Sequence, residues 1–384
     1  MRRTAVTLAI VLAGAIPAAA STMVHPGMAP STRVRTGPAI TYDAPFVNRV
    51  RPSVTSMTQD QKNRLIRAIL LLKAAPSPWD PRFSWYDNFV WWHRKALACQ
   101  VDQAHMRPAF LPWHRQYLFM FENALREVSH DDSVSVPFWD WTDPAARAAI
   151  FSPSFMGPNG DRQQDHAVLR GPFRKSRWVL NVRDAKQGDP LQYTFLSRNI
   201  GSWPGIRTLP TVAHVNAAMA MPYYDVAPYD VTSDVSTSFR NHIEGWRGFS
   251  GMRCSKGIME PVKRTNRTQT ERLHNAVHLW VGGAAGPTDD DSGGTMTLST
   301  APNDPVFWLH HANIDRLWSI WGARQAQGNA YAPLVATTGM RGQAIDEVMW
   351  PWRQSGYFVS PRSVLDHTRM GYDYEDAPVA KGAG

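Results

Sequence analysis

The chain has little of what most often classifies a sequence at sight. Cysteine occurs only at positions 99 and 254, which excludes a disulfide-rich scaffold and a metal site built on several thiolates. Past the N-terminus, no apolar stretch is long enough to cross a bilayer. Charge of one sign is not gathered into runs. The formal excess of +9 is spread along the chain and describes a solvated basic surface, with no footprint for nucleic acid. No repeat of fixed period is present, which sets aside solenoids and propellers. Aromatic residues are plentiful instead, and 16 tryptophans point to a large core or a cleft with aromatic walls.

The first twenty residues read as a secretory signal peptide. Arg2 and Arg3 give a positive start, Ala5 to Ile16 is a short apolar run, and Ala18-Ala19-Ala20 offers small residues for cleavage near Ala20. The paired arginines leave both general and twin-arginine export open. The mature protein is therefore expected outside the cytoplasm, extracellular or periplasmic. In that setting a Cys99–Cys254 disulfide is expected, two free thiols being the alternative.

Residues 21–57 lack helical periodicity and read as an extended arm. Thr58-Gln59-Asp60-Gln61 is a helix start signal, and Leu65, Ile66, Ile69, Leu70 and Leu72 supply an apolar face until Pro76, Pro78 and Pro81 end it. Further helices are expected over 84–98, over 113–128 with Pro112 in the first turn, over 271–281 and over 305–326. A short strand is expected at Arg177–Val182. The segment 131–270 is otherwise irregular, and so is the tail. The fold expected is mainly α, one domain over 58–376 with long loops, few short strands and a flexible end at 377–384.

Histidine is unevenly placed. His93, His105 and His114 form one group; His274, His278, His310 and His311 form another. Imidazole suits copper, zinc, iron and nickel, so such groups indicate a transition metal. His274 and His278 are one helical turn apart and share a face. A zinc peptidase would need a glutamate directly after the first of them as its base, and Asn275 cannot take a proton in that way. His310 and His311 diverge by about 100 degrees on a helix, so one of them is expected to ligate. Asp315 stands four residues after His311, placed to accept its ring N–H and fix its tautomer, which assigns His311 as ligand and His310 as a neighbour of the site. Two sets of three neutral imidazoles, without a carboxylate ligand, would face one another across a helical core and leave positions open to a small molecule.

These segments carry a family resemblance. Phe110-Leu111-Pro112-Trp113-His114-Arg115, with His93 and His105 ahead of it, resembles the first copper motif of tyrosinases, catechol oxidases and haemocyanins. Leu273-His274-Asn275-Ala276-Val277-His278-Leu279-Trp280-Val281-Gly282-Gly283 and Asn303-Asp304-Pro305-Val306-Phe307-Trp308-Leu309-His310-His311 resemble the second. Val136-Pro137-Phe138-Trp139-Asp140-Trp141 and Asn241-His242-Ile243-Glu244-Gly245-Trp246-Arg247-Gly248 are similar to bacterial segments of the Streptomyces type. The resemblance runs from about Asp60 to Asp376.

It implies a four-helix bundle holding a dinuclear copper site. His93, His105 and His114 would bind one of two copper ions, and His274, His278 and His311 the other. The activity implied is oxidation of monophenols and o-diphenols to o-quinones with O2, leading towards melanin-type pigments. A catechol or o-aminophenol oxidase, and a haemocyanin-like O2 carrier, share the same ligands. The resemblance further implies an ordered water between Glu244 and Asn275 as proton acceptor for monophenols, and places Phe307 against the ligands, away from substrate. Cys99 fits neither the fungal nor the plant spacing for a thioether to the second histidine. The segment Phe249 to Thr270 is longer than its Streptomyces-type counterpart, and a Cys99–Cys254 bridge would pin it beside the cleft. No C-terminal lid is expected. Streptomyces-type enzymes rely on a separate helper bearing the export signal. This chain carries its own, so it is expected to manage without such a helper, although a copper-loading chaperone stays open as a partner.

Overall fold

The computed structural model describes residues 49–101, 104–183, 193–263, 272–284, 293–325, 331–352 and 358–376. All lie in one compact unit from Pro45 onward. The leader, most of the N-terminal arm, the 377–384 tail and the far end of the 249–270 insertion fall outside the described residues.

The helix that opens the domain, α1 (Gln59–Ala74), starts where its sequence signal lies. The Thr58 hydroxyl accepts the Gln61 N–H at 3.2 Å, and the Gln61 side chain accepts the Thr58 N–H at 2.8 Å, a reciprocal cap that satisfies two of the orphan donors of the first turn. Leu65, Ala68, Ile69 and Leu72 form its buried face, and the helix stops at Ala75, ahead of Pro76. Ser84 caps α2 (Trp85–Ala96), accepting the Asp87 N–H at 3.0 Å. Helix α3 (Phe110–Ser129) begins earlier than its periodicity suggests, because Pro112 is tolerated within a first turn whose N–H groups lack helical partners. It is buried on nearly all sides, the mark of a central helix. A short α4 (Pro144–Ile150), α5 (Val212–Met219) and α6 (Phe239–Glu244) follow. A hairpin of β2 (Phe249–Ser255) and β3 (Ile258–Lys263) precedes α7 (His274–Gly282) and α8 (Val306–Arg324).

Helices α2, α3, α7 and α8 make the expected four-helix core, with α1 packed against α2 and α3. Its centre is aromatic. Trp308 of α8 stacks on Phe121 of α3 with ring centroids 3.5 Å apart and planes 2° from parallel, while Tyr86, Phe89 and Tyr117 surround that pair. Each such contact adds about 0.5–1.5 kcal/mol to plain burial. Polar tips are satisfied: the Trp308 indole donates to the Tyr86 hydroxyl (3.0 Å), which donates to the Pro302 carbonyl (2.5 Å). Most of the tryptophans thus build the core.

Strand β1 (Arg49–Arg51) pairs in parallel with β4 (Tyr372–Tyr374). The strand expected over 177–182 does not form. Only Val179 bridges Phe195 in isolation, and Trp178 instead turns inward to donate its indole N–H to Asn303 O at 2.8 Å. No helix of the described residues is long and apolar enough to cross a membrane.

Candidate metal centre

The core helices bring the two histidine groups face to face. His93 sits in the last turn of α2, His114 in the first turns of α3, His274 and His278 on α7, and His310 and His311 on α8. His105 comes from the α2–α3 connection. Within each group, nitrogens that could take one ion lie within 4.8 Å of one another. The groups meet where His114 stacks on His311, centroids 4.3 Å apart and planes 14° from parallel, and where His105 and His274 approach to 6.0 Å.

Hydrogen bonds fix which nitrogen is free in four of the six rings. His93 Nδ1–H donates to Ser299 O (2.7 Å), His114 Nδ1–H to Phe110 O (2.8 Å), His278 Nδ1–H to Met296 O (2.7 Å), and His274 Nδ1–H to Asn275 Oδ1 (2.8 Å). A neutral imidazole donating from Nδ1 carries a lone pair on Nε2. The Nε2 atoms of His93, His114 and His274 are buried with no hydrogen-bond partner, and that of His278 lies 3.5 Å from His311 Nε2. Orphaned buried acceptors are costly in a protein interior. Here several converge, and 3.5 Å suits two nitrogens each about 2 Å from a shared ion. The donor set therefore fits copper, a metal that imidazole binds well.

Protonation agrees. Burial, the largest influence, lowers His93 to about 3 and His278 to about 4. It holds His105, His114, His274 and His311 well below the ordinary imidazole value, with neighbouring rings adding to the effect. All six rings are neutral at pH 7 and available as ligands.

The two α8 histidines differ in setting. His311 faces His278 and His114, whereas His310 is wedged between Trp141 (5.2 Å) and the His274 ring (5.1 Å). Neither His310 nitrogen makes a well-formed hydrogen bond, and burial, with the His278 and His114 rings, holds it well below the ordinary imidazole value despite the nearby His274 main chain. Phe307 lies at 4.1 Å from His311 and 5.0 Å from His93, fully buried and off the cleft lining.

Asp315 requires a correction. It does not accept from His311, whose Nδ1 has no partner. One Asp315 oxygen takes Arg115 Nε at 2.5 Å. The other takes the Tyr372 and Tyr374 hydroxyls, both at 2.6 Å, and Arg51 Nη1 at 3.1 Å. Two buried guanidiniums outcompete a neutral imidazole for a carboxylate, because charge-assisted bonds are the stronger. Main-chain carbonyls set the tautomers of His93, His114 and His278, which sequence spacing does not reveal, and the Asn275 side chain sets that of His274.

Glu244 is fully buried at the end of α6. One oxygen accepts the Met106 N–H at 2.5 Å and the other faces Arg240 Nη1 at 3.2 Å, while Arg240 also reaches Asp225 at 2.8 Å. Burial raises its pKa to about 7 despite Arg240 and Met106, which pull it down. Through Met106 it steadies the residue next to His105. Met106 and Leu273, each adjacent to a histidine of the centre, hold positive φ (63° and 51°), local strain that the surrounding packing must support. Asn275 lines the cleft, and its Nδ2 is buried without a partner.

A cleft with about 230 Å³ of free space opens onto His93, His105, His274 and His278. Leu97, Trp246, Ile258, Met259 and Pro261 form much of its apolar wall. The hairpin supplies three of these, and it is joined to the segment after α2 by the Cys99–Cys254 disulfide that the sequence led us to expect. Cys99 N–H donates to Gly257 O (3.0 Å) and Met259 N–H to Leu97 O (2.9 Å), so the segment after α2 behaves as a third strand.

Comparison with known proteins bears on this geometry. The common central domain of tyrosinase matches residues 84–324. The tyrosinase of Streptomyces lincolnensis is 38% identical over 327 residues, covering 83% of this chain and 96% of that protein. Grixazone synthase of Streptomyces griseus is 34% identical over 348 residues, covering 85% and 99%. A solved polyphenol oxidase from Thermothelomyces thermophila superposes with a TM-score of 0.53 at 20% identity, covering 84% of this chain and 83% of that one, which speaks for the fold alone. With a buried centre of two facing histidine groups and relatives matched along nearly their whole length, the chain belongs to the tyrosinase family and is a dicopper phenol oxidase.

Proposed function

We propose that the chain converts both monophenols and o-diphenols to o-quinones, with His93, His105 and His114 holding one copper and His274, His278 and His311 the other. The observation that carries the ligand set is the convergence of buried, unpartnered ring nitrogens, with the tautomers of His93, His114, His274 and His278 fixed by hydrogen bonds from Nδ1. When bound, the copper pair supplies the activation of O2 and the two-electron oxidation. The protein's own contribution is binding, orientation and proton handling.

A phenol entering the cleft meets apolar walls at Leu97, Ile258, Met259 and Pro261, which exclude water from its ring. Asn275, which lines the cleft, orients His274 through its oxygen, and its buried amide N–H2 has no partner. That amide can donate to a water or to a phenolic oxygen. Glu244, with a pKa near 7, has the proton affinity to accept a phenolic proton through such a water.

One observation favours a second reading. Both Glu244 oxygens are engaged, by Met106 N–H and Arg240, and the residue does not line the cleft. If its work is only to hold the His105 loop, the enzyme acts on o-diphenols or o-aminophenols and leaves monophenols alone. The deciding experiment is copper content on purified protein together with O2 uptake on tyrosine and on its catechol analogue. Two coppers and uptake on both support the proposal. Uptake on the catechol alone selects the second reading, and failure to hold copper overturns both.

We also propose export after cleavage near Ala20. The disulfide supports this, since such bonds persist in oxidising compartments. Expressing the chain alone and counting copper per molecule decides whether a separate loading protein is required.

A further inference from the structure

Apart from the cleft, four basic or ring side chains gather where α5, α6 and the start of α7 meet. His214 lies on α5, His242 on α6, Arg247 just past α6 and Arg272 just ahead of α7. The approach is built into the backbone. Gly245 ends α6 at φ 97°, and a Cβ there would sit 1.9 Å from the Arg272 carbonyl oxygen, so only glycine lets the two segments close together.

The cluster has donors in excess. Arg272 Nη1 donates to His214 Nε2 at 2.7 Å, and Arg247 Nη2 lies 3.1 Å from His242 Nε2, whose Nδ1–H is committed to Val235 O at 2.8 Å. The Nε atoms of both arginines are buried without a partner. Among the described residues no carboxylate pairs with either guanidinium, and each acts on the other residues of the cluster as a like charge: after burial, Arg272 and Arg247 are what lower His214, and Arg272 lowers Arg247. His214 is also offered the Thr211 N–H at Nδ1 (3.3 Å). A neutral imidazole has one acceptor nitrogen, so it cannot satisfy both Thr211 and Arg272. Half-buried cations without counter-charge are unfavourable. An oxyanion beside Arg272 would take the guanidinium donors and the His214 Nε2–H, and remove the conflict.

We propose that His214, His242, Arg247 and Arg272 form a binding site for a small free oxyanion of the phosphate or carboxylate type. Arginine's planar fork matches both groups. The half-buried positions of His214, Arg247 and Arg272 leave the site open to solvent, and none of the four lines the phenol cleft.

The test is calorimetric titration of the full-length, copper-loaded protein with inorganic phosphate, and separately with acetate, at constant ionic strength. One saturable site is expected for at least one of the two anions. Affinity should fall about tenfold or more in R247Q and in R272Q, the size expected for loss of one charge-assisted contact. R253Q, on the exposed face of the hairpin, should bind like the wild type. The thermal midpoint of R247Q in oxyanion-free buffer should equal or exceed that of the parent, because a like-charge neighbour has been removed. It also shows that the variant is folded. No saturable binding of either anion, or wild-type affinity in both R247Q and R272Q, overturns the proposal. Anion binding at copper gives the second of these results and so counts against it.

Discussion

His310 and His311 are adjacent, both buried and chemically identical, yet their surroundings differ. His311 points its Nε2 at His278 and stacks on His114, while His310 is packed under Trp141. Replacing His311 by Ala is expected to leave the protein with about one copper instead of two, since two imidazoles alone seldom retain the metal. His310→Ala should keep both and lose stability through the cavity. Metal analysis on the two purified variants separates the roles, and equal copper loss would contradict the assignment. Glu244 gives a second residue-scale test. Its carboxyl is raised from 4.5 to about 7, chiefly by burial, so the basic form that can accept a proton prevails only above that pH. Monophenol turnover should therefore fall as pH drops through about 7, while o-diphenol turnover stays flat. Glu244→Gln should lower monophenol kcat by about 100-fold, within the range for general base catalysis, at full copper loading. If monophenol turnover is unchanged with two coppers bound, Glu244 is only a support for the His105 loop.

At the level of elements, the hairpin is what distinguishes the cleft. Its turn is Lys256-Gly257, both with positive φ (50° and 80°), flanked by the Ser255–Ile258 pair. This is the geometry of a two-residue turn for which Asn-Gly is the usual signal, and Lys-Gly is a weaker cue. That explains why the sequence exposes an insertion and a disulfide but not the strands. The two histidine groups were legible because so many imidazoles seldom gather within such short stretches of sequence. The carbonyls of Ser299, Phe110 and Met296 were not, because every residue has one and only the fold brings these three to the rings. The same holds for Ile258 and Met259, ordinary apolar residues until the disulfide sets them beside His274 and Asn275. Replacing both cysteines by serine should leave copper content intact, because no ligand lies on the hairpin. It should also cost about 2–4 kcal/mol in unfolding free energy. With the wall loosened, KM for bulky catechols should fall relative to that for small ones. Steady-state kinetics on a size series checks this, and an unchanged ratio would show that the hairpin is only a brace.

Across the whole molecule, one buried ionic network ties the ends of the domain to the helices that hold the metal site. Arg51 of β1 joins Glu122 of α3 and Asp315 of α8, Arg115 beside His114 joins Asp315, and Tyr372 and Tyr374 of β4 donate to the same carboxylate. This is where the sequence-based expectation for Asp315 gives way: helical spacing from His311 is a local signal, and partners from the two ends of the chain override it. Burial alone would raise the Asp315 pKa, but Arg115 and Arg51 hold it below 3.8. A depressed carboxylate stabilises the fold fully above its unfolded pKa, and that contribution is lost as pH falls through the lower folded value. Asp315→Asn leaves two buried guanidiniums short of a counter-charge, so it should cost about 3–5 kcal/mol at pH 7. The gap should narrow on acidification below about 4, where the parent begins to lose the same interaction and the variant has none to lose. Glu122, held low by Arg51 and Arg126 against burial, has the same sign and persists in both proteins, so it cancels from the difference. Urea midpoints of parent and variant at pH 7 and pH 3 measure the two gaps. A gap at pH 3 as wide as that at pH 7 would mean that Asp315 stabilises through hydrogen bonds and packing, with no net electrostatic share.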